Sequence, residues 1–145
     1  MQRANKFLLP VLSCLILAVS QVGILSGRAA SNIYYVATTG ANTDTCGTQI
    51  EPCLGIQKAI NLASSGDTIL VAGGVYSNAP DSPPAACYSF TSAKSIACIV
   101  NEHLTIRGGY STSNWSVSDP VANPTIIDGL GQYRGITVLG SSNTT

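Results

Sequence analysis

Seven acidic side chains, one histidine and five cysteines are what this 145-residue chain offers for acid–base, metal or redox chemistry. The acids are Asp44, Glu51, Asp67, Asp81, Glu102, Asp119 and Asp128. No two stand close enough in sequence to suggest the converging oxygen ligands that a hard cation such as Ca²⁺ requires. Asp128 and Arg134 form the nearest acid and base pair. Asp128, however, precedes Gly129 at a strand end, which is a turn signal. Glycoside hydrolysis needs two carboxylates, one as acid and one as base or nucleophile. Asp67 and Asp128 are the pair that folding could bring together, but Asp67 in Ser65-Gly66-Asp67-Thr68 also reads as a turn residue. His103, between Glu102 and Leu104, has no identifiable partner and reads as a turn residue rather than a general base. Gly108-Gly109-Tyr110 lacks the Lys-Ser/Thr ending of a phosphate-cradling loop and is expected at a tight corner. No catalytic, cofactor-binding or metal-ligating residue is therefore assigned.

The cysteines carry more information. Four lie beyond the apolar N-terminus: Cys46, Cys53, Cys87 and Cys98. An even count in an exported chain reads as two disulfides, and the absence of CxxC spacing argues against a thiolate metal site. The simplest pairing is local, Cys46 with Cys53 and Cys87 with Cys98, each bracketing a polar loop. Four cysteines permit three pairings, so connectivity stays open at this point.

Export itself is read from Arg3 and Lys6 preceding the apolar run Phe7 to Val19, the layout of a signal peptide over residues 1–30. Cutting after Ala29 would put Gly27 and Ala29 at the two positions that a signal peptidase inspects. An uncleaved anchor would use Phe7 to Leu25, just reaching the roughly 20 residues that a bilayer needs, but Pro10, Ser13, Ser20 and Gln21 weaken it. A lipidated Cys14 would leave too short an apolar stretch before it. Membrane attachment is thus expected only through an uncleaved leader. The chain is 10% charged, with 14 Gly, 7 Pro and a formal net charge of zero. Lys58, Lys94, Arg107 and Arg134 are scattered, which excludes a nucleic-acid surface and gives an anionic polysaccharide little to hold.

These side chains would be positioned by short elements. Ile33 to Ala37 is β-rich, and Ile56, Ala59, Ile60 and Ala63 recur at helical spacing within Leu54 to Ala63. Gly66 is placed to supply a left-handed stop. Strands follow at Thr68 to Ala72, Val75-Tyr76, Ile99-Val100, Leu104 to Arg107, Thr125 to Asp128 and Gly135 to Leu139. No second helix separates them, so βαβ crossovers are not expected. They fit the coils of a solenoid, whose open end needs a cap. The expected fold class is all-β, a right-handed parallel β-helix with a short N-terminal capping α-helix, truncated at its C-terminus. Residues 31–66 would hold the first strand, disulfide loop and cap, and 67–145 the first coils, with a loop insertion at 77–97 stapled by Cys87 and Cys98. The strand ending at Leu139 has no closing element, so the chain is expected to continue into further coils.

The letters also resemble a family. Tyr34-Tyr35-Val36-Ala37-Thr38-Thr39-Gly40-Ala41-Asn42, Pro52-Cys53, Ile56-Gln57-Lys58-Ala59-Ile60 and Gly66 to Tyr76 look like the opening of bacterial right-handed parallel β-helix repeat proteins of the pectin-lyase-like superfamily. Leu104 to Tyr110 and Pro124 to Gly129 are similar to their first coils. The resemblance implies an exported cell-surface or extracellular protein with a binding or structural, adhesin-like role, meeting polysaccharide or cell-surface components. The alternative it implies is a polysaccharide lyase or glycoside hydrolase whose catalytic coils lie beyond residue 145, with Ca²⁺ only in the lyase case. Fold does not fix function in such a group. Tyr34, Tyr35, Tyr76, Tyr88, Tyr110, Trp115 and Tyr133 could stack on sugar rings, though scattered aromatics first suggest packing. Asn114-Trp115-Ser116 and Asn143-Thr144-Thr145 match the glycosylation sequon.

Overall fold

The computed structural model describes residues 30–77, 87 and 94–140. The leader, most of the 77–97 insertion with Asp81 and Tyr88, and the second sequon lie outside the described residues. Seven strands and one helix follow in order: β1 (Ile33–Val36), α1 (Ile56–Leu62), β2 (Thr68–Ala72), β3 (Gly74–Tyr76), β4 (Ser95–Val100), β5 (Thr105–Tyr110), β6 (Thr125–Ile127) and β7 (Arg134–Leu139). Every strand pair is parallel. They fall into a three-stranded sheet ordered β1-β2-β5 and two-stranded sheets β3-β6 and β4-β7.

This corrects the expected fold class. The described residues form short parallel strands in sheets of three, two and two, with a single seven-residue helix and no continuous right-handed solenoid. The physical reason lies in what short β-branched runs encode. Such runs specify strands and, without hairpin turns, parallel pairing; they do not specify a repeating coil, because their lengths and turn letters do not repeat. The pairing of β2 with β5 even shifts register between Leu70 and Ala72. The shift sits at Gly109, with φ +88, where an added Cβ would lie 2.8 Å from Ser118 Oγ and 2.9 Å from Pro120 N. Gly108 and Gly109 therefore lie inside β5 rather than at the expected corner.

One apolar core joins the three sheets and the helix: Val36 from β1, Ile56, Ala59 and Ile60 from α1, Ile69 and Val71 from β2, Tyr76 from β3, and Ala97 and Ile99 from β4. The helix has no side-chain N-cap and no charged residue complementing its dipole. Its stability thus comes from tertiary packing rather than intrinsic propensity. Tyr76 sits in this core with its hydroxyl donating to Ala72 O at 3.0 Å, and burial pushes its phenol up to about 12. β4 is buried along Ser95 to Ile99 on both faces, as a strand packed on two sides must be.

The starts of three strands meet at Asp67. Its Oδ1 accepts from Asn32 N at 2.7 Å and its Oδ2 from Ser64 N at 2.9 Å. Its carbonyl accepts from Thr105 N at 3.0 Å, while Thr68 N donates to Asn32 O at 2.9 Å. The Ser64 and Asn32 backbone N–H groups hold the Asp67 carboxyl below its ordinary value of 3.8. A pKa lower in the folded than in the unfolded chain stabilises the fold fully above about pH 3.8, and the contribution is lost as pH falls through the folded value. Asp67→Asn must point an amide N–H at one of these donors, so it should unfold at lower temperature than wild type near neutral pH. Thermal unfolding followed by circular dichroism should show the difference closing as the buffer is taken below pH 3.8. A difference that stays constant into strong acid would show that the carboxylate charge contributes nothing.

Candidate functional site

The titratable residues singled out in the sequence do not converge. Asp67 is spent on the three strand starts. Asp128 accepts from Leu130 N at 2.8 Å while its own N–H donates to Tyr76 O at 3.1 Å. It is the turn residue its neighbouring glycine suggested, and Arg134 is anchored separately, its N–H donating to Lys94 O at 2.9 Å. His103 is held through its backbone, N–H to Ser65 Oγ at 3.0 Å and carbonyl from Gly66 N at 2.7 Å. Ser65 Oγ in turn donates to Glu102 at 2.6 Å, and all three residues are exposed. The hydroxyl and carboxylate stand in the open on two neighbouring turns, and the contact ties those turns together. Among the described residues no three His, Cys, Asp or Glu side chains form a metal-binding group. The one ion pair within 4.0 Å among them is Lys58–Asp44 at 3.0 Å.

The cysteines do form the two local bridges, Cys46–Cys53 and Cys87–Cys98. Each has a definite mechanical role. The segment from Gly47 to Cys53 runs along the outer edge of β1: Tyr35 N donates to Gly47 O at 3.0 Å, Ala37 N to Cys53 O at 2.9 Å, and Cys53 N to Tyr35 O at 2.9 Å. The Cys46–Cys53 bridge closes this edge cover into a ring. Cys98 is fully buried in β4 and Cys87 is 7% exposed, so the second bridge ties Cys87 to that strand. No helix among the described residues is long and apolar enough to cross a membrane.

The concave surface with the best mixture of chemistry lies where β2 gives way to β3. A groove of about 360 Å³ is lined by Val75 and Ile126, Ser111 and Thr112, Tyr110 and Asn123, together with small residues and proline. Val75 and Ile126 are direct partners in the β3–β6 pair and stand 54% and 48% exposed. Backbone bonds fix the walls, from Gly73 N to Tyr110 O at 2.8 Å and from Gly74 N to Pro124 O at 2.9 Å. Thr125 Oγ1 accepts from Gly109 N at 3.0 Å and donates to Ala72 O at 3.1 Å, locking β6 to β2. Behind the groove Trp115 packs edge-on to Tyr35, with ring centroids 5.0 Å apart, and stacks on Tyr110 at 6.1 Å. Trp115 Nε1 is buried, with no hydrogen-bond partner among the described residues. The lining carries no charged side chain, so the groove can offer hydroxyl and amide hydrogen bonds beside aliphatic surface but no ionic contact. A second hollow of about 310 Å³, among Thr39, Thr43, Thr45 and Ile50, includes the carboxylate residue Glu51.

Sequence reasoning missed the groove because its residues are ordinary in type and come from three separate segments. The visible signals were the Gly73-Gly74 break and the Gly108-Gly109 pair, whose lack of side chains lets the walls approach. Comparison with protein-family models, curated proteins and solved structures yields no match. The resemblance noted in the sequence therefore rests on the quoted residues alone.

Replacing each bridged pair by serines should lower stability by roughly 2–3 kcal/mol, as expected from closing short loops in the unfolded chain. Urea unfolding of the two double variants measures this. Wild-type stability in either would show that bridge to be dispensable to the fold.

Proposed function

We propose that this chain is an exported protein of the extracellular or cell-surface space that acts by binding, with the groove between β3, β5 and β6 taking an uncharged ligand of the neutral polysaccharide kind. Three things support the reading. The two disulfides suit an oxidising compartment. The apolar N-terminus has the layout of an export signal. The observation that carries it is the groove lining, in which Ser111, Thr112 and Asn123 stand beside exposed Val75 and Ile126 without a formal charge.

Neutral sugars present that same pair of surfaces, hydroxyl groups at the ring edge and C–H groups on the ring face. A wall of hydroxyls and a side-chain amide exchanges hydrogen bonds with the first, and aliphatic side chains cover the second. An anionic sugar chain would bring carboxylates to a surface with no lysine or arginine in its lining, so it would be desolvated without compensation. The walls are built from paired strands, which favours a preformed site over one that closes on its ligand.

Nuclear magnetic resonance titration with neutral and with uronic-acid oligosaccharides tests the reading. Neutral oligomers should shift the backbone signals of Ser111, Thr112 and Asn123, and uronic-acid oligomers should not. Asn123→Ala should weaken the neutral ligand about 3- to 10-fold, the worth of one hydrogen bond. Shifts located elsewhere, or affinity indifferent to this substitution, would show that the groove is not where the ligand binds.

A further inference from the structure

Given the neutral-sugar reading of the groove, on which this rests, we propose that the groove and the hollow holding Glu51 are two subsites of one binding strip. The strip takes an extended neutral oligosaccharide laid across the turns that leave β1, β2 and β5. Strand register brings the two hollows together. Val36 lies opposite Val71 in the β1–β2 pair, and Ala72 lies opposite Tyr110 in the β2–β5 pair. Ala37, Ala72 and Tyr110 accordingly meet in one buried cluster where the three strands end. The residues that follow leave the sheet side by side: Thr38-Thr39 after β1, Gly73-Gly74 after β2 and Ser111-Thr112 after β5. With neighbouring strands about 4.8 Å apart, the three turns form a strip about 10 Å across on one side of the sheet.

Both hollows open on this strip. The groove takes Gly73, Gly74, Ser111 and Thr112, and the hollow takes Thr39, Gly40 and Glu51. Thr38 forms the ridge between them. It is exposed, it precedes Thr39 in the chain, and a Cβ placed on Gly74 would lie 2.7 Å from its Cγ2. The hollow is built as firmly as the groove. Ala41 N donates to Pro52 O at 3.1 Å and Ala37 N to Cys53 O at 2.9 Å. Gly40 lies directly against the Pro52 and Cys53 carbonyls, and the Cys46–Cys53 bridge closes the segment. Walls held by backbone bonds on both sides of Thr38 favour two preformed subsites at a fixed separation.

The chemistry of the hollow extends that of the groove. Thr39, Thr43 and Thr45 line it with hydroxyl-bearing residues, Ile50 is an aliphatic side chain 93% exposed, and Glu51 adds a carboxylate. Among the described residues no lysine or arginine pairs with Glu51. A carboxylate accepts hydrogen bonds without donating any, and it holds the hydroxyls of a neutral sugar more strongly than an uncharged acceptor does. Toward a uronic acid the same group is a like charge, so the hollow and the groove discriminate in the same direction. A short ligand seated in the groove leaves Glu51 unused. A longer one crosses Thr38 and gains the second set of contacts within one molecule, where each adds to the affinity of the first.

Calorimetry and nuclear magnetic resonance titration of the whole chain with disaccharides and hexasaccharides of the cello-, manno- and xylo- series test the strip. In the series that binds, the hexasaccharide should bind at least about tenfold more tightly than the disaccharide. It should shift the backbone signals of Thr39, Thr43 and Glu51 together with those of Ser111 and Asn123, whereas the disaccharide should shift the last two alone. Glu51→Ala, at an exposed position, should weaken the hexasaccharide about tenfold, the worth of a hydrogen bond to a charged group, and leave the disaccharide unchanged. A hexasaccharide that shifts Ser111 and Asn123 but not Thr39 and Glu51, or that binds Glu51→Ala as it binds wild type, would overturn the strip and leave the groove a sugar site. If neither length moves Ser111 or Asn123, the neutral-sugar reading itself falls, and the strip falls with it.

Discussion

The structure depends on one side-chain amide. Gln57, in the first turn of α1, is 2% exposed, and its Oε1 accepts from Cys98 N at 2.7 Å while its Nε2 donates to Cys98 O at 3.2 Å. The amide does for β4 what a neighbouring strand would do. It satisfies one donor and one acceptor of a backbone that is fully buried and, among the described residues, has no strand on that side. Nε2 also donates to Asn61 Oδ1 at 2.8 Å, which fixes the amide's orientation from within the helix. A buried backbone group left without a partner costs roughly 1–3 kcal/mol, so two of them would take a large share of a small domain's stability. The helix is too short to stand alone. It exists because the core takes Ile56, Ala59 and Ile60 and the strand takes Gln57.

The rest of the architecture answers the same need to leave few strand edges bare. Small parallel sheets have a high proportion of edges to interior, and each edge presents unpaired N–H and C=O groups. A disulfide-closed segment covers β1, a glutamine covers β4, and a serine and an aspartate backbone cover the end of β5. Asp67 then ties the starts of β1, β2 and β5 to one residue, its carboxylate accepting from Asn32 and Ser64 and its backbone carbonyl from Thr105, so that the three strands of the largest sheet begin in register. The groove beside β3 and β6 follows from this framework rather than adding to it. It lies where the chain leaves β2 for β3 and changes sheet, and its walls are held by the hydrogen bonds that make the change possible.

The sequence made the elements legible to different degrees. The helix was readable because Ile56, Ala59 and Ile60 fall on one helical stripe, and β2 because Thr68 to Ala72 is an unbroken β-branched and apolar run. β4 was seen only in its last two residues: Ser95-Ile96-Ala97-Cys98 mixes small and polar letters, and its burial depends on the packing of α1 against it, which no local pattern announces. The disulfide pairing could be guessed from the loops, but not the fact that one bridge closes an edge cover. The solenoid was an over-reading of strand spacing, since short parallel strands are common to many arrangements and only their turns decide between them. Gln57 reads as one more polar helix residue until β4 is placed beside it, and Asp67 reads as a turn former. Ser111, Thr112 and Asn123 gave no signal at all, because a neutral groove has no titratable group to betray it.

The dependence on Gln57 can be measured directly by native-state hydrogen exchange at the Cys98 amide, in wild type and in Gln57→Leu. In wild type this amide should exchange only through global unfolding, as slowly as the amides of β2. In Gln57→Leu, which keeps the bulk but offers no hydrogen bond, it should exchange through local opening of β4 while β2 keeps most of its protection. A Cys98 amide that exchanges as fast as those of the surface turns in wild type, or one whose protection is unchanged by the substitution, would contradict the claim that the glutamine amide stands in for a strand.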